Sequence, residues 1–446
     1  MKKIFILLLP VLIITSCRNN PQKGQDDSLR MSDDSLMNLV EYRTFNYFWD
    51  GAEPNSGMAR ERFHVDNIYL ENDKQIVTTG GTGFGLMAIL VGIERGFITR
   101  GQGIERLSKI VNFLEKADRY HGAWAHWIDG ETGKTKPFNK QDDGADIVET
   151  AYLAQGLIAV LEYLDPVNPA EKKLAEQIEK LWKDIDWAFF TQGNDVLFWH
   201  WSPTIGWKIN FPVQGYNECL ILYVMAASSP THPIKPSVYH NGWARGGGIN
   251  SRVEKYGYTL TLKHNFPEDF GGPLFWSHYS YLGLDPRHLK DKYANYWDEN
   301  VSHATINYLW CVGNPKNFKG YDTNCWGLTA SYSVNGYAAH APGMESDLGV
   351  ISPTAALASF PYTPQYSMQA LRHFYYELGD SIWGEYGFYD AFSEQHNYYP
   401  KRYLAIDQGP IVVMMENYRT GLLWNLFMKN RDIRDGLSKL GFTTGQ

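Results

Sequence analysis

Cysteine is scarce: four in 446 residues, too few for a disulfide framework in a chain of this length. Positive charge is in deficit. Forty-one Lys and Arg stand against 49 Asp and Glu, a formal net charge of −8, which argues against a nucleic-acid partner, since phosphate binding relies on clustered cations. Long apolar runs are missing beyond Ile4 to Ile14, and that stretch is too short to span a bilayer. Residues 33–446 contain no low-complexity linker, no recognisable repeat, no HExxH, no zinc-type His/Cys spacing and no GxSxG elbow. No metal or organic cofactor is therefore expected. With 44% hydrophobic and 20% charged residues, wholesale disorder is excluded. What is abundant is aromatic: 22 Phe, 29 Tyr and 15 Trp. Flat apolar faces with a polar edge suit thick cores and sugar-binding clefts alike.

Lys2 and Lys3 followed by the apolar run read as a signal peptide over residues 1–16. It ends in Ile14-Thr15-Ser16-Cys17, the pattern of a bacterial lipobox with Cys17 as the lipid-bearing residue. Residues 17–32 are polar and read as a flexible tether. Residues 33–446 read as one domain, acting as a monomer and touching the membrane only through the anchor. Acidic residues come late after Cys17, which favours the periplasmic side over the cell surface.

Helical spacing dominates the remainder. Helices are expected at Leu36–Trp49, Phe84–Ile93, Ile104–Leu114, Ile147–Leu164, Ala170–Phe190, Tyr216–Ala227, 287–312, 352–359, 364–378 and 408–429. Several are apolar on all sides and should be interior. About ten to twelve helices in an uninterrupted chain point to an all-α, closed toroid, the (α/α)6 barrel, with long aromatic loops at one rim. Trp124, Trp127, Trp199, Trp201, Trp243, Trp276 and Trp326 fall in those loops, where core-filling alone does not place them.

Three helix starts are acidic. Asp142, Asp146 and Glu149 lie at i, i+4 and i+7, one face of a helix leading into the apolar 147–164 run. They suit an acid/base set with divergent pKa values, a hard-cation site, or simple compensation of the helix dipole. Glu218, in Gln214-Gly215-Tyr216-Asn217-Glu218, precedes an apolar helix that should desolvate it and raise its pKa, as a general acid requires. Asp407 stands before Gly409-Pro410 as a candidate N-cap. A toroid would aim all three starts at one rim. Gly83-Phe84-Gly85-Leu86-Met87-Ala88 fits a dinucleotide fingerprint, but helices flank it on both sides, so close helix packing or a tight approach to a ligand explains its glycines better.

With these residues in place, the chain resembles glycoside hydrolase family 144, the bacterial glycoamylase-like group. The resemblance rests on Thr44-Phe45-Asn46-Tyr47-Phe48-Trp49 with Gly57-Met58-Ala59-Arg60-Glu61-Arg62, Gly83-Phe84-Gly85-Leu86 leading to Gly92-Ile93-Glu94-Arg95-Gly96, and Asp407-Gln408-Gly409-Pro410 through Glu416-Asn417-Tyr418-Arg419-Thr420-Gly421. It implies an (α/α)6 barrel and inverting hydrolysis of β-1,2-linked glucan, with Asp142, Asp146, Glu149, Glu218 and Asp407 in the active site. On that reading Glu218 is the general acid, Asp142 the base with Asp407 as its rival, and Asp146 and Glu149 position water or sugar hydroxyls. Trp124, Trp127, Trp199 and Trp201 are candidate stacking platforms, and Arg60, Arg62, His126 and Tyr216 candidate polar contacts. The alternatives are a hydrolase of another neutral glucan, a lipid-anchored glycan-binding protein, and a polysaccharide lyase, whose uronic-acid substrates an acidic rim would repel.

Overall fold

The computed structural model describes residues 30–69 and 74–445. The expected signal peptide, Cys17 and most of the tether lie outside these residues. Thirteen α-helices occur among the described residues: α1 (Asp33–Trp49), α2 (Thr79–Glu94), α3 (Arg100–Leu114), α4 (Ile147–Tyr163), α5 (Pro169–Lys183), α6 (Leu220–Ser228), α7 (Tyr296–Gly313), α8 (Pro353–Leu357), α9 (Pro364–Tyr376), α10 (Gly379–Ile382), α11 (Ala405–Arg419), α12 (Leu422–Lys429) and α13 (Arg431–Lys439).

Their contacts close a ring. α2 packs on α4, α4 on α6, α6 on the short 3-10 turn Tyr279–Tyr281, α8 on α11, and α11 back on α2. His278 Nε2 and Ser359 Oγ, 3.0 Å apart, tie the 3-10 segment to the turn after α8. A second shell lies outside: α1 against α2 and α11, α3 against α2, α5 against α4, α7 against Leu274–Ser277, α9 against α8 and α13 against α6. This is the (α/α)6 toroid, with the all-apolar helices inside. Every residue from Leu220 to Ser228 is buried, as are Ile147–Val160 and Thr79–Gly92. The helices with polar faces form the outer layer. Among the described residues no helix is long and apolar enough to cross a membrane.

The Gly-rich start of α2 is a packing device. A Cβ on Gly83 would collide with the Tyr152 and Leu153 backbone, and one on Gly156 with the Gly83 backbone. The two inner helices therefore meet main chain to main chain, as the glycine spacing implied.

Helix limits depart from expectation where side chains rewire the backbone. α5 stops at Lys183 because the chain turns there, with Asp186 N–H donating to His121 O at 3.0 Å. α7 begins at Tyr296, since the Asp291 carboxylate takes the N–H groups of Tyr293 and Ala294 and holds a turn before it. The expected 408–429 helix is two helices. Gly421 has φ +73°, and Asn417 Oδ1 accepts from Leu423 and Trp424 N–H to start α12. The loops carry small two- and three-stranded sheets. Three of their elements reach the site: Trp127–Asp129, Ala145–Asp146 paired with His200–Trp201, and the hairpin of Ala330–Ser333 with Gly336–Ala339.

Candidate active site

The N-terminal ends of α2, α4 and α11, with the turn before α6, open on one cavity of about 280 Å³. Its wall includes Glu61, Arg62, His126, Trp127, Phe138, Glu149, Trp199, Glu218 and Tyr337. Tyr152 and Tyr279 form the apolar floor against Phe84, with ring centroids 5.5 and 5.1 Å from it.

The start of α4 organises the first wall. The expected i, i+4, i+7 face does not form, because residues 142–146 are not helical and Asp146 (φ −117°, ψ 105°) is the N-cap of α4. Its Oδ1 accepts from Val148 and Glu149 N–H at 3.0 and 2.9 Å, a cap worth about 1 kcal/mol. Its Oδ2 accepts from His126 Nδ1 at 2.9 Å. Asp142, also buried, faces His200 Nδ1 at 3.3 Å, and Asp146 Oδ2 lies 3.8 Å from the same nitrogen. Two histidines thus stand among three acids. Burial alone would lower His126, yet Glu149, Asp146 and Asp142 raise it to about 9. His200 is raised in the same way, with burial opposed by Asp142 and Asp146. His126, Asp142 and Asp146 are close enough to bracket a cation. An imidazolium there supplies the positive charge itself and has no lone pair for a metal.

Glu149 and Glu218 are the two expected acids whose side chains line the cavity. Burial raises each to about 7, but their surroundings differ. Glu149 Oε2 accepts from Gly80 N–H at 2.7 Å and from Thr78 Oγ1 at 3.4 Å. Its Oε1 lies 4.0 Å from His126 Nε2. These contacts favour the carboxylate over the acid. Glu218 sits in the turn just ahead of α6, whose N-cap is Cys219, rather than inside a helix begun at Tyr216. No cation offsets its burial: Cys219 and its own backbone lower its pKa slightly, and Glu149 raises it further.

The other expected residues are distributed as follows. Trp127 (8% exposed) and Trp199 line the cavity. Phe138, 46% exposed, stacks 4.3 Å from His126 and lies 4.8 Å from Trp127. Trp124 has no exposed face: it is packed in the core, donates Nε1–H to Leu114 O at 3.2 Å and carries Arg119 over its ring. Trp243 and Trp326 are likewise core residues and Trp276 is buried, because the loops bearing them fold back onto the helices. Trp201 packs on His121 and Phe189 away from the cavity. Tyr216 is buried, its hydroxyl bonded to Tyr281 and Asn300. Arg60 lies off the cavity wall, whereas Arg62 lines it, paired with Glu61 and donating to Tyr332 OH at 2.9 Å.

Asp407 does not cap α11. The helix begins at Ala405, whose N–H donates to Glu61 O at 3.1 Å, and Asp407 lies in the first turn with its carboxylate buried. Sequence reasoning did not single out Glu61, Thr78, Gly80, Phe138, Tyr152, Tyr279, Tyr337 or Asp390. The run Gly57–Arg62 that carries the family resemblance was the available signal for Glu61.

Residues 210–431 match the family model described as "Glycoamylase: Putative glucoamylase". An endo-β-1,2-glucanase from Chitinophaga pinensis, solved with sophorotriose and glucose, is 62% identical, with a TM-score of 0.92 over 93% of this chain and 99% of that one. A curated exo-β-1,2-glucooligosaccharide sophorohydrolase from Parabacteroides distasonis is 44% identical over 441 residues, 95% of this chain. This chain spans 60% of that relative's length. An endo-β-1,2-glucanase from Talaromyces funiculosus shares the fold at 10% identity, with a TM-score of 0.64 over 92% of each chain.

Proposed function

The chain belongs to the glycoamylase-like group of glycoside hydrolases, family 144, and from that premise we propose that it hydrolyses β-1,2-linked glucan or its oligosaccharides with inversion at the anomeric carbon. The observation that carries this reading is the pairing of Glu149 and Glu218 on one aromatic-lined cavity, one carboxyl with N–H and hydroxyl donors and His126 beside it and the other with no cation against it. The relatives that bear β-1,2-glucan names supply the linkage.

Glu218 donates its proton to the glycosidic oxygen as the bond to the anomeric carbon breaks. Glu149 removes a proton from the water that attacks the opposite face, so the sugar leaves with inverted configuration. His126 opposes the effect of burial on Glu149 and favours its carboxylate, while Asp146 and Asp142 hold His126 and His200. Trp127, Trp199 and Phe138 give the sugar rings apolar faces, and Arg62 offers hydroxyl contacts. Asp407 is the rival base, favoured by carboxylate oxygens that have no other hydrogen-bond partner in the protein. Three acids and two cations on the wall suit a neutral chain better than a uronate.

Incubation with β-1,2-glucan beside a panel of other glucans tests the proposal, with product length and anomeric configuration followed over time. Expected is release of short β-1,2-oligosaccharides in the inverted α form, lost in Glu218→Gln. No cleavage of β-1,2-glucan, or an unsaturated product, would overturn it. If Asp407→Asn abolishes turnover while Glu149→Gln spares it, the base is Asp407. We also read Cys17 as a lipid anchor on the periplasmic side of a monomer. Palmitate labelling that survives Cys17→Ser, or a dimer in solution, would count against that reading.

A further inference from the structure

Asp407 and Asp390 meet behind the cavity wall formed by Leu404, Ile406 and Tyr337. Both are 2% exposed. Asp390 is pinned: its Oδ2 accepts from Tyr332 N–H at 2.7 Å and its own N–H donates to Arg402 O at 2.9 Å. Asp407 is fixed through its backbone, whose carbonyl accepts from Thr354 Oγ1 at 2.8 Å. Asp390 Oδ1 and both oxygens of Asp407 have no donor in the protein, although the two carboxyls lie within hydrogen-bond reach of each other. Two ionised carboxylates offer only acceptors, so three buried acceptor atoms would stay unpaired and the charges would repel. A single proton placed between them relieves the repulsion and pairs two of the three atoms, one as donor and one as acceptor.

We propose that Asp390 and Asp407 share one proton as an acid–carboxylate pair, and that Asp390 is a positioning residue that holds Asp407 and sets its charge beside the cleft. The positioning role rests on the hydrolase reading above; the proton sharing does not. The groups around the pair are Glu61 and Arg62 from the strand beside it, Tyr337 from the hairpin, Tyr279 from the 3-10 turn and Tyr398 from the neighbouring loop. Of these only Arg62 is a cation, and it is committed to Glu61 and Tyr332. Burial pushes Asp390 up to about 6, and burial with Asp390 beside it pushes Asp407 well above the ordinary aspartate range.

The full chain labelled with ¹³C at the aspartate carboxyls, titrated by NMR from about pH 4 to about pH 9, tests the sharing. Expected are two carboxyl resonances that titrate together above the ordinary aspartate range. Asp390→Asn should delete one and bring the Asp407 step down, because the amide donates a hydrogen bond and carries no charge. Asp407→Asn should do the converse. Aspartate resonances that all finish titrating below about pH 5 in the wild type would overturn the pair, whether or not either variant folds. Turnover on β-1,2-gluco-oligosaccharide tests the positioning. Asp390→Asn should lower kcat about tenfold with KM within about twofold, and flatten the alkaline limb. An unchanged kcat and pH profile would remove that role and leave the shared proton standing.

Discussion

The starts of α4 and α11 solve the same problem in opposite ways. Each brings buried acids to the cavity's edge. At α4, Asp142, Asp146 and Glu149 are matched by His126, His200 and helix N–H groups. At α11, Asp390 and Asp407 have no cation of their own and must retain a proton. Glu218 lies between these extremes, buried like the α11 pair but facing the α4 carboxylates. An acidic cluster is thus either a carboxylate array or a proton store, and its histidine content decides which.

The comparison is broken most severely at Glu218. Glu218→Gln should cut turnover about 1,000-fold with little change in substrate binding, as expected for loss of a general acid; a kcat within tenfold of wild type would move the acid elsewhere. Next comes Glu149→Gln, with an expected loss of about 100-fold and partial rescue by added azide, an anionic nucleophile that attacks the anomeric carbon in place of water and needs no base, giving the glycosyl azide.

The next effect is on stability and turns on pH. Glu218 is raised from the ordinary glutamate range to about 7, so it binds its proton more tightly folded than unfolded. Its contribution is complete below about pH 4 and is lost as pH rises through about 7. Glu218→Gln should therefore be more stable than wild type at pH 8 by on the order of 3 kcal/mol, and close to it at pH 4. Urea midpoints at the two pH values measure this, and a variant that is weaker at both would contradict the sign. Asp146→Ala removes the α4 cap and the His126 partner together. About 1–2 kcal/mol of stability should go with it, and Asp146→Asn, which keeps an acceptor for the cap, should recover most of the loss.

The smallest effects sort the tryptophans. Trp127→Phe should raise KM a few-fold through the lost ring face, on the order of 1 kcal/mol, while Trp201→Phe should leave KM unchanged. Equal shifts in both would erase the distinction between cavity and flank.

Much of this was legible in the chain. All-apolar runs such as Leu220–Ser228 announce an inner ring, and acids placed just ahead of them announce where it opens. Positions that depend on chain folding back were not legible. Trp124 and Trp326 sit in loops by sequence but in the core by packing, because loops of that length must bury their own apolar surface. The helical face drawn through Asp142 failed because Asp146 spends its carboxylate as a cap and ends the helix there. Glu61, Tyr337 and Asp390 come from segments far apart in sequence, and no local pattern joins them to Glu218.

The contact of Gly83 with Gly156 has a mechanical consequence. A closed hoop of helices has no free end, so a gap opened at one joint must be absorbed around the whole circumference. Gly80, which holds Glu149, is three residues from Gly83 on the same helix. A methyl group at Gly83 would wedge α2 from α4 and draw the Gly80 N–H away from the Glu149 oxygen. The glycine pair serves as a spacer gauge for the cavity, setting its aperture from a point buried between the two helices.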